Sequence, residues 1–532
     1  MTVSARADAV VVGAGHNGLV AANLLADAGW SVLVVEQAPT PGGAVRSAEV
    51  TAPGFLSDLY SAFYPLGAAS PVLRGLGLDA YGLRWSHAPA ALAHVLPDGR
   101  AVLLSRDLDT TAASLDAFAP GDGDAWRDAC AQWTRVREPL LDALFRPFPP
   151  VRPAVRLARA LGVADGIRLA RLGTMPVRRY GEEQFRGDGG RALLAGNAIH
   201  ADLGPDNAGS AVFGWLLAML AQDVGFPVPE GGAARLVEAL VRRLTARGGR
   251  IVTGVRVTEV LVRDGRAHGV RSAAGDVALA RRAVLADVTA PLLFRRLVGP
   301  EHLPARFVAD LDRFEWDDAT VKVDWALGAP IPWKAPEARL AGTLHLDHDV
   351  DGLTDYSADL ATGRVPESPF LLLGQLTTAD PARSPAGTES AWSYTHVPRG
   401  TVETDEELRA HVDRIEATVE RHAPGFRDLI IGRHLQGPRD FQRHNPSLDD
   451  GAINGGTAAI HQQLVFRPVP GLGRPDTPVD RLFLAGSSAH PGGGVHGGPG
   501  SNAARAALAR DRIGGRLYAT GIRTALRAVY RD

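Results

Sequence analysis

Cysteine, lysine and long apolar runs are scarce in this chain. A single cysteine, Cys130, stands among 532 residues. One thiol cannot build a disulfide framework or a redox-active dithiol within the chain, and such scarcity fits a reducing, cytoplasmic setting. Only two of the 57 basic residues are lysines, Lys322 and Lys334; a genome rich in arginine codons accounts for that bias. The formal net charge is −2, so no bulk electrostatic argument favours nucleic acid as a partner. The longest apolar run, Ala211 to Leu220, is shorter than the ~20 residues needed to span a bilayer. No signal peptide is expected, because Arg6 and Asp8 precede only a short apolar stretch. No metal is expected either: His490 and His496 bracket a glycine-rich turn, but two histidines without a third ligand make no metal site. What remains is ordinary globular composition, 45% hydrophobic and 22% charged, over a length that allows two or more domains.

The most informative stretch is Val10-Val11-Val12-Gly13-Ala14-Gly15-His16-Asn17-Gly18. An apolar run ending in G-x-G-x-x-G reads as a strand, a tight turn and a helix start. Gly13 allows the turn, Gly15 lets the backbone approach a pyrophosphate, and Gly18 lets helix and strand pack closely; Asn17 stands inside the turn. Leu19 to Ala28 reads as the helix, Gly29 ends it, and Ser31 to Glu36 reads as a second buried strand. Glu36, about 20 residues beyond the glycines, is placed to accept hydrogen bonds from a ribose diol and to repel a 2′-phosphate. Gln37 follows it, and then Pro41-Gly42-Gly43-Ala44-Val45-Arg46. That second glycine turn brings two positions without side chains, and a cation at Arg46, near the phosphates. It points to FAD rather than NAD.

The other end of the chain adds a second cofactor segment. Arg481 to Gly486 reads as a buried strand ending in glycine. His490-Pro491-Gly492-Gly493-Gly494-Val495-His496 then leads to Gly500-Ser501-Asn502-Ala503, where a helix begins. A helix start there would direct free N–H groups at the electron-rich edge of a flavin.

With these motifs the chain resembles the phytoene desaturase-like FAD oxidoreductases. The resemblance is greatest to their phytoene dehydrogenase-related branch, the pyridine nucleotide-disulfide oxidoreductase domain-containing protein 2 type. Besides the segments above, its carriers are Val228-Pro229-Glu230-Gly231-Gly232, Asn454-Gly455-Gly456 and Phe466-Arg467-Pro468-Val469-Pro470-Gly471. The resemblance spans nearly the whole chain. It implies an α/β fold of monoamine-oxidase-like architecture: a Rossmann-like FAD-binding domain assembled from three segments, with an inserted α+β substrate domain. It also implies one non-covalent FAD and an apolar tunnel, and it places the backbone near Val257 at the adenine. Cys130 is remote in sequence from the flavin motifs, so no covalent flavin link is expected.

The pattern divides the chain into cofactor segments at 1–70, 225–295 and 475–532, and substrate segments at 71–224 and 296–474. Ala233 to Arg247 has helical periodicity, Arg250 to Ser272 reads as strands with a turn at Arg263–Arg266, and Ala283 to Asp287 reads as another buried strand. Leu115 to Leu144 is the longest helical region, Thr320 to Leu327 and Pro369 to Leu376 are strand candidates, and Asp405 to His422 reads as a helix. Residues 152–179 hold seven arginines and one acid among spaced aliphatics. This stretch reads either as peripheral contact with the inner face of a membrane, drawing an apolar substrate from lipid, or as an exposed amphipathic helix pair.

Desaturation needs a C–H bond near the flavin, loss of a hydride and loss of a neighbouring proton. Lys322, His490 and His496 are the candidate catalytic residues. Lys322 shares a strand face with Thr320 and Asp324; amine oxidases of related fold place a lysine near the flavin, whereas pairing with Asp324 would make it structural. Arg443, His444 and Asn445 form a further polar cluster near the C-terminal block. The reading is a dehydrogenase for an apolar isoprenoid, polyene or lipid-like substrate, with oxygen or a quinone as electron acceptor. The alternatives are an amine oxidase, disfavoured by the lack of an aromatic pair in the C-terminal block, a redox-neutral flavin isomerase, and a non-catalytic flavoprotein acting through a partner.

Overall fold

A computed structural model describes residues 5–531. Two seven-stranded sheets organise it. In the first sheet, strand Ala5–Val12 pairs in parallel with Val32–Val35 on one side and with the long strand Val277–Ala286 on the other. Val32–Val35 pairs with Arg250–Val252, and the first half of Val277–Ala286 carries the hairpin Val257–Arg263 and Arg266–Ser272. The second half takes Leu482–Leu484 in parallel. One sheet thus gathers strands from residues 5–35, 250–286 and 482–484.

Alternation along Ala5–Val12 shows why this sheet is buried on both faces. Ala9 and Val11 pack with Leu19, Leu25, Leu236 and Leu240 of the helices on one side. Val10 and Val12 pack with Val284, Leu293, Phe294 and Phe307 on the other.

The second sheet has the strand order 430–436, 319–327, 389–397, 371–375, 341–346, 90–95, 101–104. It is mostly antiparallel, with one parallel pair between Ala341–Leu346 and Ala90–Val95. Val321, Val323 and Trp325 face helix Asp405–His422, whose Val412, Ile415 and Val419 fill that side. Thr404 and Glu407 close a capping box at that helix's start. The other face, bearing Thr320, Lys322 and Asp324, turns toward the interior between the sheets.

Two helical expectations change in detail. The 115–144 region is two helices, Leu108–Asp116 and Asp122–Leu144, separated at Gly121 with φ 95°. The 152–179 region is one helix, Val151–Leu172, broken at Gly162 (φ 66°, ψ −175°), followed by Val177–Gln184. Among the described residues no helix is long and apolar enough to cross a membrane.

The larger correction concerns the helix at the C-terminal glycine block, Gly498–Asp511. Its start crosses the first helix, His16–Asp27, at backbone contact. A Cβ on Gly500 would lie 2.0 Å from the Asn17 carbonyl oxygen. Gly500 therefore serves helix–helix approach and not approach to a ligand. Gly500→Ala should lower stability by roughly 1–3 kcal/mol in urea unfolding, because neither backbone can retreat. Gly521→Ala, whose Cβ would meet nothing within 4 Å, should be neutral or stabilising by up to about 1 kcal/mol.

Candidate functional site

A cavity of about 1040 Å³ runs from the first glycine turn to the free face of the second sheet. At the dinucleotide end it is lined by Gly13, Gly15, His16, Asn17, Glu36, Gln37, Gly43, Arg46, Val257 and Asp287. The turn is held by two carboxylates. Glu36 accepts from the Ala14 amide at 2.7 Å and from the Ala38 amide at 2.8 Å. Asp287 accepts from the Gly18 amide at 2.7 Å; burial, reinforced by the Glu36 charge, pushes its pKa up to about 7. A Cβ on Gly13 would lie 2.7 Å from the Asp287 carbonyl oxygen, and one on Gly18 2.2 Å from the Gly13 carbonyl oxygen. Gly18 thus packs helix against turn behind the cavity. The second glycine turn lies on the first: the Gly42 amide donates to the Ala14 carbonyl at 2.9 Å, and Gly43 (φ 57°) covers Gly15. Gly43 reaches the cavity and Gly42 stands behind it.

The C-terminal block contributes Gly486, Ser487 and His490 to His496, including Gly494 and Val495. Gly500, Asn502 and Ala503 do not reach the cavity. Gly500 is spent on the helix crossing, Ala503 is buried in the core beside the first helix, and Asn502 donates to the His490 carbonyl at 3.3 Å. The wall in this region is the loop before the helix, not the helix start. Arg467 fixes that loop. It is fully buried and donates to the carbonyls of Ser487 (2.9 Å), Thr457 (2.9 Å) and Asn454 (3.1 Å).

The two loop histidines separate in role. His496 Nδ1 accepts from the Gly498 amide at 3.0 Å, and its Nε2 donates to the Gly493 carbonyl at 3.0 Å. Burial lowers its pKa to about 3, so the ring is neutral and both nitrogens hold the turn. His496 has no nitrogen left for a reacting proton, which removes it as a catalytic candidate. His490 is also held neutral by burial, near pKa 4. Its Nε2 is buried without a partner, and the residue lines the cavity.

At the far end the second sheet forms the floor. Strand register places Lys322, Tyr394, Leu372, His345 and His94 in one row. Asp324, Trp392, Gly374, Thr343 and Leu92 form the next. Trp392 lies over Gly374, where a Cβ would meet the indole at 2.5 Å. Trp392 and Tyr394 are stacked, centroids 5.7 Å apart and planes 8° apart. The aromatic pair that the C-terminal block lacks is therefore supplied by strand Glu389–Val397. Val212, Phe213 and Leu216 of helix Ser210–Asp223, and Phe226 beyond its end, also line the cavity. His444 and Asn445 line the cavity, whereas Arg443 does not.

Charge is distributed unevenly. The only carboxylates lining the cavity among the described residues are Glu36 and Asp287, both at the dinucleotide end. Lys322 reaches the cavity, but its Nζ lies 2.5 Å from both oxygens of Asp324. Asp287, Arg467, the Trp392–Tyr394 pair and His200 were not singled out by sequence reasoning. An acid ending the apolar run Ala283–Asp287, and two aromatics at i, i+2, were the available signals for Asp287 and the pair.

The Lys322–Asp324 pair is buried on both sides, so removing one partner should be costly. Burial already raises the Asp324 pKa against the pull of Lys322. Lys322→Met should lose about 3–5 kcal/mol. Its Asp324 would then fold protonated, so its stability should fall as pH rises above the ordinary carboxylate range. Lys322→Met with Asp324→Leu should recover most of the loss and flatten that pH dependence. A urea series at several pH values checks both.

Comparison with known proteins agrees with this architecture. The NAD(P)-binding Rossmann-like domain matches residues 11–90. The chain is similar to pyridine nucleotide-disulfide oxidoreductase domain-containing protein 2 of Rattus norvegicus, 29% identical over 93% of this chain and 92% of the relative. It is also similar to the zeta-carotene-forming phytoene desaturase of Myxococcus xanthus, 27% identical over 91% and 90%. Among solved structures, cyclohexylamine oxidase from Brevibacterium oxydans IH-35A aligns with a TM-score of 0.56 at 19% identity, over 95% of this chain and 100% of that one. At that identity the likeness concerns the fold.

Proposed function

We propose that the chain, similar over most of its length to a pyridine nucleotide-disulfide oxidoreductase domain-containing protein 2 and to a phytoene desaturase, holds FAD non-covalently in this cavity and dehydrogenates an apolar substrate bound on the second sheet. One observation carries the reading. A single cavity joins a dinucleotide turn to a compartment rich in aliphatic and aromatic side chains, with no lining carboxylate there among the described residues. The residues fit FAD. Gly13, Gly15 and Gly43 line the cavity beside the helix start without side chains, and Glu36 is oriented by two amides with lone pairs to spare for a ribose. Arg46 Nε and His16 Nε2 are buried without protein partners at the same end.

Bound FAD would supply the hydride acceptor. The chain's part is to exclude water, to hold the substrate against Trp392, Tyr394 and Leu372, and to accept a proton. We assign that proton to His490, a neutral imidazole whose residue lines the cavity; its low basicity suffices for a carbon made acidic by hydride loss. The stacked aromatics and Lys322 give an amine oxidase reading some footing. Against it, a substrate ammonium would find no unpaired carboxylate in this half of the cavity.

Denaturing the purified yellow protein should release one FAD per chain. Glu36→Ala should weaken retention by roughly 10- to 100-fold, as expected for loss of a charged hydrogen-bond acceptor. Release of NAD, or no nucleotide after reconstitution with FAD, would overturn the proposal.

We also propose that helix Val151–Leu172 rests on a membrane surface and feeds the cavity. Val151, Val155, Val163 and Ile167 are exposed there, Val163 at 81% and Ile167 at 65%. Ile460 and Leu464 line the cavity and are exposed, Leu464 at 49%. Gly209 brings this rim beside the helix's end, since its Cβ would meet both the Gly173 carbonyl and Ile460. The protein should co-sediment with vesicles containing anionic lipid, less so in high salt. Val163→Asp with Ile167→Asp should reduce binding at least several-fold without loss of FAD. Equal sedimentation of variant and wild type would rule the surface out.

A further inference from the structure

Three histidines from separate parts of the chain form a buried row leading into the substrate half of the cavity. His94 and His345 are register partners on the parallel strands 90–95 and 341–346, and both are fully buried. His200 follows helix Asp188–Ile199 and lines the cavity. His94 Nε2 lies 2.7 Å from the His348 carbonyl oxygen, His345 Nδ1 lies 3.3 Å from His94 Nδ1, and His200 Nε2 lies 2.7 Å from His345 Nε2. Gly196, one helical turn before His200, makes room: a Cβ there would lie 2.3 Å from His345 Nδ1 and 2.8 Å from His94 Nδ1.

The first link sets the direction of all the others. A carbonyl oxygen can only accept, so His94 Nε2 carries the proton. Burial holds all three rings neutral: His94 is lowered to about 4, His200 to about 3, and His345 well below its usual value. In a neutral imidazole one nitrogen donates and the other accepts. His94 Nδ1 is therefore an acceptor, and His345 Nδ1 donates to it. His345 Nε2 is then an acceptor, and His200 Nε2 donates to it. What remains is His200 Nδ1, a lone pair with no bonding partner among the described residues. Each bond in the row polarises the next, which strengthens that final acceptor.

We propose that His200 Nδ1 accepts a hydrogen bond from a hydroxyl group on the otherwise apolar substrate, with His345 and His94 as positioning residues. The proposal rests on the dehydrogenase reading and names its substrate class. A pure hydrocarbon would strip water from this nitrogen and give nothing back. A carbonyl offers His200 no donor, whereas a hydroxyl donates to it.

The test uses the FAD-loaded protein with 1-decanol, decyl methyl ether and decanal as probes. Binding is read through tryptophan fluorescence, since Trp392 lines the cavity. The alcohol should bind about tenfold more tightly than the ether or the aldehyde, the size of one well-made neutral hydrogen bond. His200→Phe should erase the preference by weakening the alcohol alone. Nitrogen NMR of histidine-labelled protein should show His200 protonated on Nε2 and bare on Nδ1. In His345→Phe that tautomer should no longer be enforced, and the alcohol preference should shrink. Equal affinity for the three probes, binding of none, a preference that survives His200→Phe, or a proton on Nδ1 would each overturn the proposal. Should His200→Phe fail to fold, the wild-type probe series and the tautomer still decide it. Both readouts are repeated on flavin-free protein, so failure to recover FAD would strike the proposed function and leave this result separate.

Discussion

The structure depends on how closely the backbone of the first turn can be approached, and on what then satisfies its amides. Residues 13–18 turn so tightly that the Cβ of any larger residue at Gly13 or Gly18 would strike backbone. Exposed amides in such a turn need acceptors. Two of them are met by carboxylates from elsewhere in the chain, Glu36 22 residues on and Asp287 269 residues on. Asp287 can arrive only because strand Val277–Ala286 lies beside Ala5–Val12, and Leu482–Leu484 joins the far side of that strand. The dinucleotide end therefore exists only when three distant segments have assembled. This is a fold of long-range contacts, expected to form slowly and cooperatively.

The second sheet meets a different constraint. Its strand Ala319–Leu327 is buried at every position, yet its sequence alternates apolar and polar residues. An exposed polar face would explain such alternation cheaply; here the polar face looks into a cavity. Thr320 and Thr343 keep unpartnered hydroxyls, and Lys322 is neutralised by Asp324. Groups left in that state cost stability, which is the cost of turning a polar strand face toward a cavity instead of toward solvent.

Much of this was legible in the sequence, and the limits have physical reasons. The Gly13–Glu36 unit could be read because its spacing is dictated by local turn and helix geometry. Helix Asp405–His422 and strand 319–327 could be read because their periodicities are 3.6 and 2. Gly500 was misread because a glycine records only that something comes close; here it is the Asn17 carbonyl. His496 was misread for a similar reason, since its two nitrogens are consumed by amide and carbonyl groups two and three residues away. The row formed by His94, His345 and His200 could not be read at all. Its members come from a hairpin strand, a sheet strand and a helix end, and nothing in the spacing of those positions brings them together.

Charge placement unites the two halves. Among the described residues, the lining carboxylates stand at the dinucleotide end and none stands on the walls of the apolar half. Under the dehydrogenase reading, loss of a hydride leaves positive charge on the substrate. A bare ammonium on the floor would oppose that charge. Lys322 does so little, because Asp324 holds its Nζ at 2.5 Å and the pair is neutral overall. The Lys322 ammonium also lies 5.8 Å from the centre of the Trp392 ring, so the aromatic floor helps to neutralise the one cation it carries. A carboxylate in the same place would bind a resting cation instead, and the site would select amines before any hydride was lost. The lack of a lining acid on this floor among the described residues suits a charge that appears only during the reaction.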